Sequence, residues 1–285
     1  CLRKRGHTKI VTMTHDIILS LTTIPSRAPH LGQFLNSILA QSLSPVRIEL
    51  NVPWHYSMRD LGQIDVDMIP SDFDVHRCDD AGPATKILPT LKRHAATNAT
   101  IVYCDDDRIY HPDWLARLVE TADRHPNCGI SDECNSLAAI GHKFRHPVKD
   151  WRYRLKRAAS FGFYAPYIAN RATDWDVAEG FGGVLVKPSF FSASVFDVPR
   201  DVWAVDDIWL SANLLANGTD IIWTQRKNSE RSKSLRVDGQ NLGREDDALT
   251  MATIDGLDRV ATDYRAVKFC QDQLNVWQNR SLDPV

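Results

Sequence analysis

Ile101-Val102-Tyr103-Cys104-Asp105-Asp106-Asp107 is the stretch whose reading decides the fold: a short apolar run passes straight into three carboxylates. Such a run, bounded by polar residues, reads as a buried strand. Ile87, Leu88 and Leu91 mark a helix before it, and residues 112–121 form one after it, with Pro112 close to the first-turn position that proline favours. Outward from there, the first two hundred residues keep the same alternation. Residues 17–21, 47–52, 73–77 and 182–187 read as strands, and Leu31, Phe34, Leu35, Ile38 and Leu39 follow helical spacing. Residues 206–216 read as a helix closed by Asn217-Gly218, and residues 221–224 as a last strand. This alternation predicts an α/β fold with a mainly parallel, Rossmann-like sheet flanked by helices. Residues 227–244 are polar and predict a mobile basic loop, and residues 246–277 predict a helical C-terminal segment.

Three adjacent carboxylates repel one another, so they are costly unless a cation neutralises them. In open α/β sheets ligands bind beyond the carboxyl ends of the strands, where this triplet falls. Oxygen ligands combined with water suit Mn²⁺ or Mg²⁺ bridging a diphosphate. A second acidic pair, Asp206-Asp207, opens a helix, where carboxylates also serve as simple caps.

The bulk composition fits a globular protein of this class. The chain has 285 residues, 43 % hydrophobic and 25 % charged, with a formal net charge of −2. That balance supports one large domain and gives no global attraction to nucleic acid. Six cysteines without a CxxC pair predict reduced thiols, including Cys128 and Cys134, and a cytoplasmic location, at most peripheral to a membrane. No apolar run approaches the ~20 residues of a transmembrane span. The chain begins with Cys1, so a processed chain is expected, with any upstream anchor outside this sequence.

Five blocks in order resemble a glycosyltransferase-A, family 2-like enzyme: TTIPSR after the first strand, CDDAGPATKILPTL, VYCDDDRIYHPDWL, EGFGGVLV and VDDIWLSANLLANG. They run from about residue 17 to 224. The resemblance implies a catalytic domain over residues 1–224, with residues 225–285 as a loop and helical extension packed on it. It implies a metal-dependent transfer of a sugar from a nucleotide-sugar donor to a glycan or glycolipid acceptor, in polysaccharide biosynthesis. Thr23, Pro25 and Arg27 would form the loop over the nucleotide, with Asp79 and Asp80 near the base. Gly82 to Lys86 would brace the diphosphate, Lys86 as a point cation. Asp105 and Asp106 would contact the donor, Asp107 would bind the metal in the DxD pattern with Asp105, and Glu179 through Gly183 would floor the acceptor and donor sugar, with Gly182 and Gly183 at the donor. Asp207 matches the base of inverting members, with Asp206 beside it.

One departure is that no His follows His146, so a C-terminal histidine ligand is absent and the metal would rely on Asp107, diphosphate and water. The other is residues 141–176, which match none of the blocks. Their aromatics Trp151, Tyr153, Phe161, Phe163, Tyr164, Tyr167 and Trp175 suit stacking on sugar faces, or ordinary packing. A sugar nucleotidyltransferase would carry a glycine-rich loop after the first strand, and residues 22–27 contain no glycine. A metal-dependent phosphatase lacks a nucleophile constellation here. A non-catalytic carbohydrate-binding module would not need both acidic sites.

Overall fold

The structure, a computed structural model, describes residues 16–57, 61–140, 155, 158–159, 175–242 and 256–280. The chain opens with β1 (Ile17–Thr22), buried along nearly its whole length, and turns through Ile24 to Arg27. Helix α1 (Leu31–Leu39) buries Leu31, Phe34, Leu35 and Ile38, the i, i+3, i+4, i+7 stripe of its sequence. β2 (Arg47–Pro53) and β3 (Asp74–Cys78) follow, then a 3₁₀ turn over Gly82–Lys86 and α2 (Leu88–Arg93). β4 (Thr100–Tyr103) carries the acidic turn, after which come β5 (Arg108–Ile109) and α3 (Trp114–Arg124). Next are β6 (Gly129–Ser131), β7 (Cys134–Asn135), α4 (Leu137–Ile140), β8 (Val177–Ala178) and β9 (Val184–Val186). The chain then forms α5 (Asp206–Ala216), β10 (Ile221–Trp223), β11 (Lys233–Ser234), β12 (Arg236–Val237), β13 (Gln240–Asn241) and α6 (Arg259–Leu274).

Seven strands make one sheet in the order β10-β6-β9-β4-β1-β2-β3. β1 pairs in parallel with β2 on one side and β4 on the other, so the strand order reverses between β1 and β4. At such a switch point the loops leaving the two strands splay apart and open a crevice. β9 runs antiparallel between β4 and β6, the one reversal in an otherwise parallel sheet. This is the α/β class that the alternating pattern predicts.

The two faces of the sheet carry separate cores. One gathers α1 and α3 around Leu19, Leu21, Leu50, Val102 and Trp114. The other packs α2 and α5 over Ile18, Ile101, Tyr103 and Val186. Neighbours on β4 point to opposite faces, so Tyr103 joins the second core while Val102 and Cys104 join the first. A third cluster seats α6, through Ala266, Val267 and Cys270, against Val205, Ile208, Trp209 and Ala212 around α5.

Several sequence expectations shift. Pro112 lies before α3, which starts at Trp114 after Asp113. The strand expected over 182–187 is confined to Val184–Val186, because Gly180–Gly182 forms a 3₁₀ turn and Gly183 takes φ +87°. The segment expected to be a mobile loop is tied down over its described part: β11 pairs with β5, and β12 with β13. Leu235 and Leu242 are buried, which a polar sequence hides. The C-terminal helix is confined to Arg259–Leu274, and residues 243–255 lie outside the described residues. So do Trp151, Tyr153, Phe161, Phe163, Tyr164 and Tyr167; Trp175 stacks at a tilt on Trp223, 5.0 Å between ring centres. Cys78, Cys104, Cys128, Cys134 and Cys270 are free thiols. No helix among the described residues is long and apolar enough to cross a membrane.

Candidate active site

The acidic turn leaves β4 at the crevice and meets the loop leaving β1. Asp106, 4 % exposed, accepts a hydrogen bond from Thr23 Oγ1 at 2.6 Å and one from Arg27 Nη1 at 2.9 Å. Tyr56 Oη in turn donates to the Thr23 carbonyl at 2.9 Å. Asp106 therefore fastens the two loops together. Arg27 also approaches Asp107 at 3.5 Å. Burial alone would make Arg27 easier to deprotonate, but Asp106 and Asp107 overcome that and hold it cationic.

The triplet members are not equivalent. Asp105 is paired with Lys86 Nζ at 2.7 Å, and this contact outweighs burial to keep its carboxyl below the usual range. The Asp107 carboxylate receives no hydrogen bond from any described residue. Burial, with the like charges of Asp105 and Asp106 beside it, pushes it up to about 6 despite Arg27. A carboxylate with free lone pairs and surplus neighbouring negative charge suits a divalent cation.

Asp206 and Asp207 occupy the first turn of α5, and Lys86 brings them to the triplet. Its ammonium, 5 % exposed, lies 3.1 Å from Asp206 Oδ2 and 3.9 Å from Asp207 Oδ1 while bonding Asp105. The lysine is held from below: Ser20 Oγ on β1 donates to the Lys86 carbonyl at 2.5 Å and shares a hydrogen bond with the Thr90 hydroxyl at 2.7 Å. Two acidic motifs a hundred residues apart thus share one buried cation. Three carboxylates exceed one ammonium, and burial with mutual repulsion raises both Asp206 and Asp207, Asp207 well above the carboxylate range.

Asp207 Oδ1 also accepts the Gly180 amide at 2.9 Å. A Cβ on Gly180 would fall 2.6 Å from Lys86 Nζ and 3.0 Å from Asp207 Oδ1, so only glycine lets the backbone approach both. Gly180 falls within the Glu179 to Gly183 stretch expected to floor the site, but the sequence did not single it out as the residue that meets Asp207 and Lys86.

Other expected residues have different surroundings. The missing side chains of Gly182 and Gly183 make room for Glu133 and for the Trp114 indole, whose Nε1 donates to the Gly182 carbonyl at 2.7 Å. These two glycines serve internal packing. Lys86, expected as a point cation for phosphate, has its charge engaged by carboxylates. Asp79 is exposed, whereas Asp80 accepts from Ser57 and from the Gly82 amide at 2.8 Å, shaping the turn before Lys86. Pro25 sits in the turn closed by the Arg27 amide on the Ile24 carbonyl, 2.9 Å.

The strap over residues 227–242, which carries β11 to β13, reaches the site as well. The Leu235 amide donates to the Asp107 carbonyl at 2.8 Å, and Arg108 is clasped by Ser232 and Ser234. A second group, Glu49, Asp74 and His76, lies at the opposite end of the strands. Arg93 and His94 bond to Glu49, so that carboxylate is already neutralised.

No family model and no curated protein matches the chain. Many solved structures resemble it, among them the following three. The mannosyltransferase PcManGT from Pyrobaculum calidifontis, in complex with GDP-Man and Mn²⁺, is 18 % identical over 74 % of this chain, with a TM-score of 0.43. TarS from S. aureus is 12 % identical over 78 %, TM-score 0.44. Its fragment 1–349 in complex with UDP-GlcNAc is 12 % identical over 93 %, TM-score 0.46. The chain spans 55 % of the mannosyltransferase, 37 % of TarS and 74 % of the TarS fragment.

Proposed function

We propose that this chain is a metal-dependent glycosyltransferase of the glycosyltransferase-A type, moving a sugar from a nucleotide-sugar donor to a glycan or glycolipid hydroxyl with inversion. The observation that carries the reading is the convergence of Asp105 to Asp107 with Asp206 and Asp207 around Lys86, at the crevice where the strand order reverses. A binding module does not need so costly a concentration of buried charge.

Asp107 is the triplet member able to hold Mn²⁺ or Mg²⁺, whose bound charge would offset the negative charge growing on a departing diphosphate. The chain's own groups do the rest. Thr23, Pro25 and Arg27 with Asp79 and Asp80 line the nucleotide side, and Asp105 meets the donor hydroxyls. The acceptor hydroxyl attacks the anomeric carbon and Asp207 takes its proton. The bond from that carbon to the diphosphate oxygen breaks, and the nucleoside diphosphate leaves with that electron pair. Gly180 aims Asp207, and Lys86 limits the repulsion that its ionisation creates.

A positioned general base typically contributes ~10²–10⁴-fold. Asp207→Asn should therefore lose about that much transfer while still binding donor. Asp206→Asn should lose less, because successive helical residues point about 100° apart and only one can face the hydroxyl. Single-turnover transfer with the product anomer read by NMR checks this, after a thermal-shift screen of nucleotide sugars with Mn²⁺ has found the donor. A retained anomer, or an active Asp207→Asn enzyme, removes Asp207 as the base. Transfer that survives a chelator removes the metal, and nucleotidyl transfer instead of glycosyl transfer removes the reaction class.

A further inference from the structure

Tyr103 ends β4 two residues before the triplet and is fully buried. It stands beside Ser20 of β1 in the sheet register, the residue whose hydroxyl holds the Lys86 carbonyl. Its side chain lies on the face that carries the 3₁₀ turn of Lys86 and helix α5. The charges that act on its hydroxyl are those of Asp207, Lys86, Asp206 and Asp105. Yet Tyr103 Oη, shielded from solvent, makes no hydrogen bond among the described residues. Asp206 Oδ2 in the same cluster is equally buried, and among the described residues it has the Lys86 ion pair at 3.1 Å and no geometrically formed hydrogen bond. A buried donor without a hydrogen bond thus lies on the sheet face packed by the Lys86 turn and α5, where a buried acceptor has only its ion pair with Lys86.

Unpaired buried polar groups are rare because each carries its full desolvation penalty. Phenylalanine would fill the same space without that penalty. Hydrogen bonds within a site are also often long or misaligned before the ligands arrive and tighten in the working complex. We propose that Tyr103 is a positioning residue of this site, its hydroxyl kept to donate to Asp206 Oδ2 and so fix the Asp206–Lys86–Asp207 arrangement. The inference rests on the glycosyltransfer reading for its kinetic consequence only; the pairing itself does not depend on it.

The test uses the full chain with Tyr103→Phe and Asp206→Asn, and has two arms. In the first, the tyrosines carry ¹³C at Cζ, whose chemical shift reports hydrogen bonding of the phenol. The chain has seven tyrosines, few enough for the Tyr103 signal to be identified by its loss in Tyr103→Phe. That signal should move in Asp206→Asn and stay in place in Asp79→Asn, which alters an exposed carboxylate. An unmoved signal in Asp206→Asn overturns the pairing whatever reaction the protein performs. The second arm measures transfer. Tyr103→Phe should lower kcat about tenfold with the donor KM within twofold and an unchanged or higher Tm. An unchanged kcat overturns the positioning role, as does a kcat that falls only in step with Tm. A wild-type chain that transfers no sugar instead refutes the function proposed above, and the first arm still decides the pairing.

Discussion

Lys86 faces three carboxylates with one charge, and that imbalance sets the behaviour of the residues around it. Removing one partner of a buried ion pair typically costs about 3–5 kcal/mol, because the other charge is left uncompensated. Lys86→Met should therefore lower thermal stability markedly, and more at neutral than at acid pH, where protonated carboxylates no longer need the cation. Thermal melts of the variant across pH check the size and the trend. Asp207 itself has a second consequence. Burial and the Asp206 charge hold its folded-state pKa above the ordinary value of about 3.9, so the folded state keeps a proton that the unfolded chain has lost. Its contribution to stability consequently falls as pH rises above about 4 toward that raised value. The ionised form is the base, so transfer should switch on across the same window. A kcat profile whose acid limb sits in the ordinary carboxylate range would remove Asp207 from that role. Gly180→Ala should drive its methyl group into the Lys86 and Asp207 contact, costing activity far more than one methyl group would elsewhere.

Elements differ in how much of them can be read from sequence. Helix α5 matches its expected bounds of 206–216, because its acidic start, continuous apolar run and Asn-Gly stop are all local signals. The strands of the parallel sheet are legible for the same reason, each a short apolar run between turn residues. The strap over residues 227–242 was not. Its anchors Leu235 and Leu242, with only Val237 between them, are sparse among polar residues, and its pairing partner β5 lies more than a hundred residues away. Gly182 and Gly183 are legible as a close approach but not as to what approaches, since Trp114 and Glu133 come from distant positions. The two acidic motifs were visible as separate features and Lys86 as a site cation, but nothing local to Lys86 marks it as buried or as the link between them. The strap's anchoring makes a prediction at this scale. The Leu235 amide, bonded to the Asp107 carbonyl, should exchange slowly even without ligand. Arg108→Leu should release it, because Ser232 and Ser234 lose their shared partner. Hydrogen exchange resolved to Leu235 reads both, and rapid exchange in the wild type would show that the strap opens freely.

At the scale of the whole molecule, the proposed base is held by packing from α6, far along the chain from the acidic triplet. α5 is buried on nearly every side because the sheet covers one flank and α6 the other. Val205, Ile208 and Trp209, which bracket Asp206 and Asp207, share a core with Val267 and Cys270. Arg259, ion-paired with buried Asp263 at 2.9 Å, also donates to the Ala204 carbonyl at 3.2 Å, so α6 grips the loop entering the acidic pair. Truncating Val267 to alanine would leave a cavity in that shared core. Large-to-small changes of this kind cost about 1–3 kcal/mol, from lost burial together with a void that neighbours only partly fill. Because the cavity abuts the underside of α5, the loosened helix should carry Asp207 out of register. Misplacement by about 1 Å can cost a reaction on the order of 10²-fold. Lys268→Ala is the matched control one residue along. Its ammonium is 57 % exposed and pairs with Asp272 at 3.6 Å, a contact worth at most about 0.5 kcal/mol. Val267→Ala should thus lower Tm and kcat together with no change in the pH of the acid limb, while Lys268→Ala leaves both near the wild-type values. If Val267→Ala loses stability but keeps full turnover, α6 supports the fold without holding the base, and the coupling between α6 and the acidic site has to be abandoned.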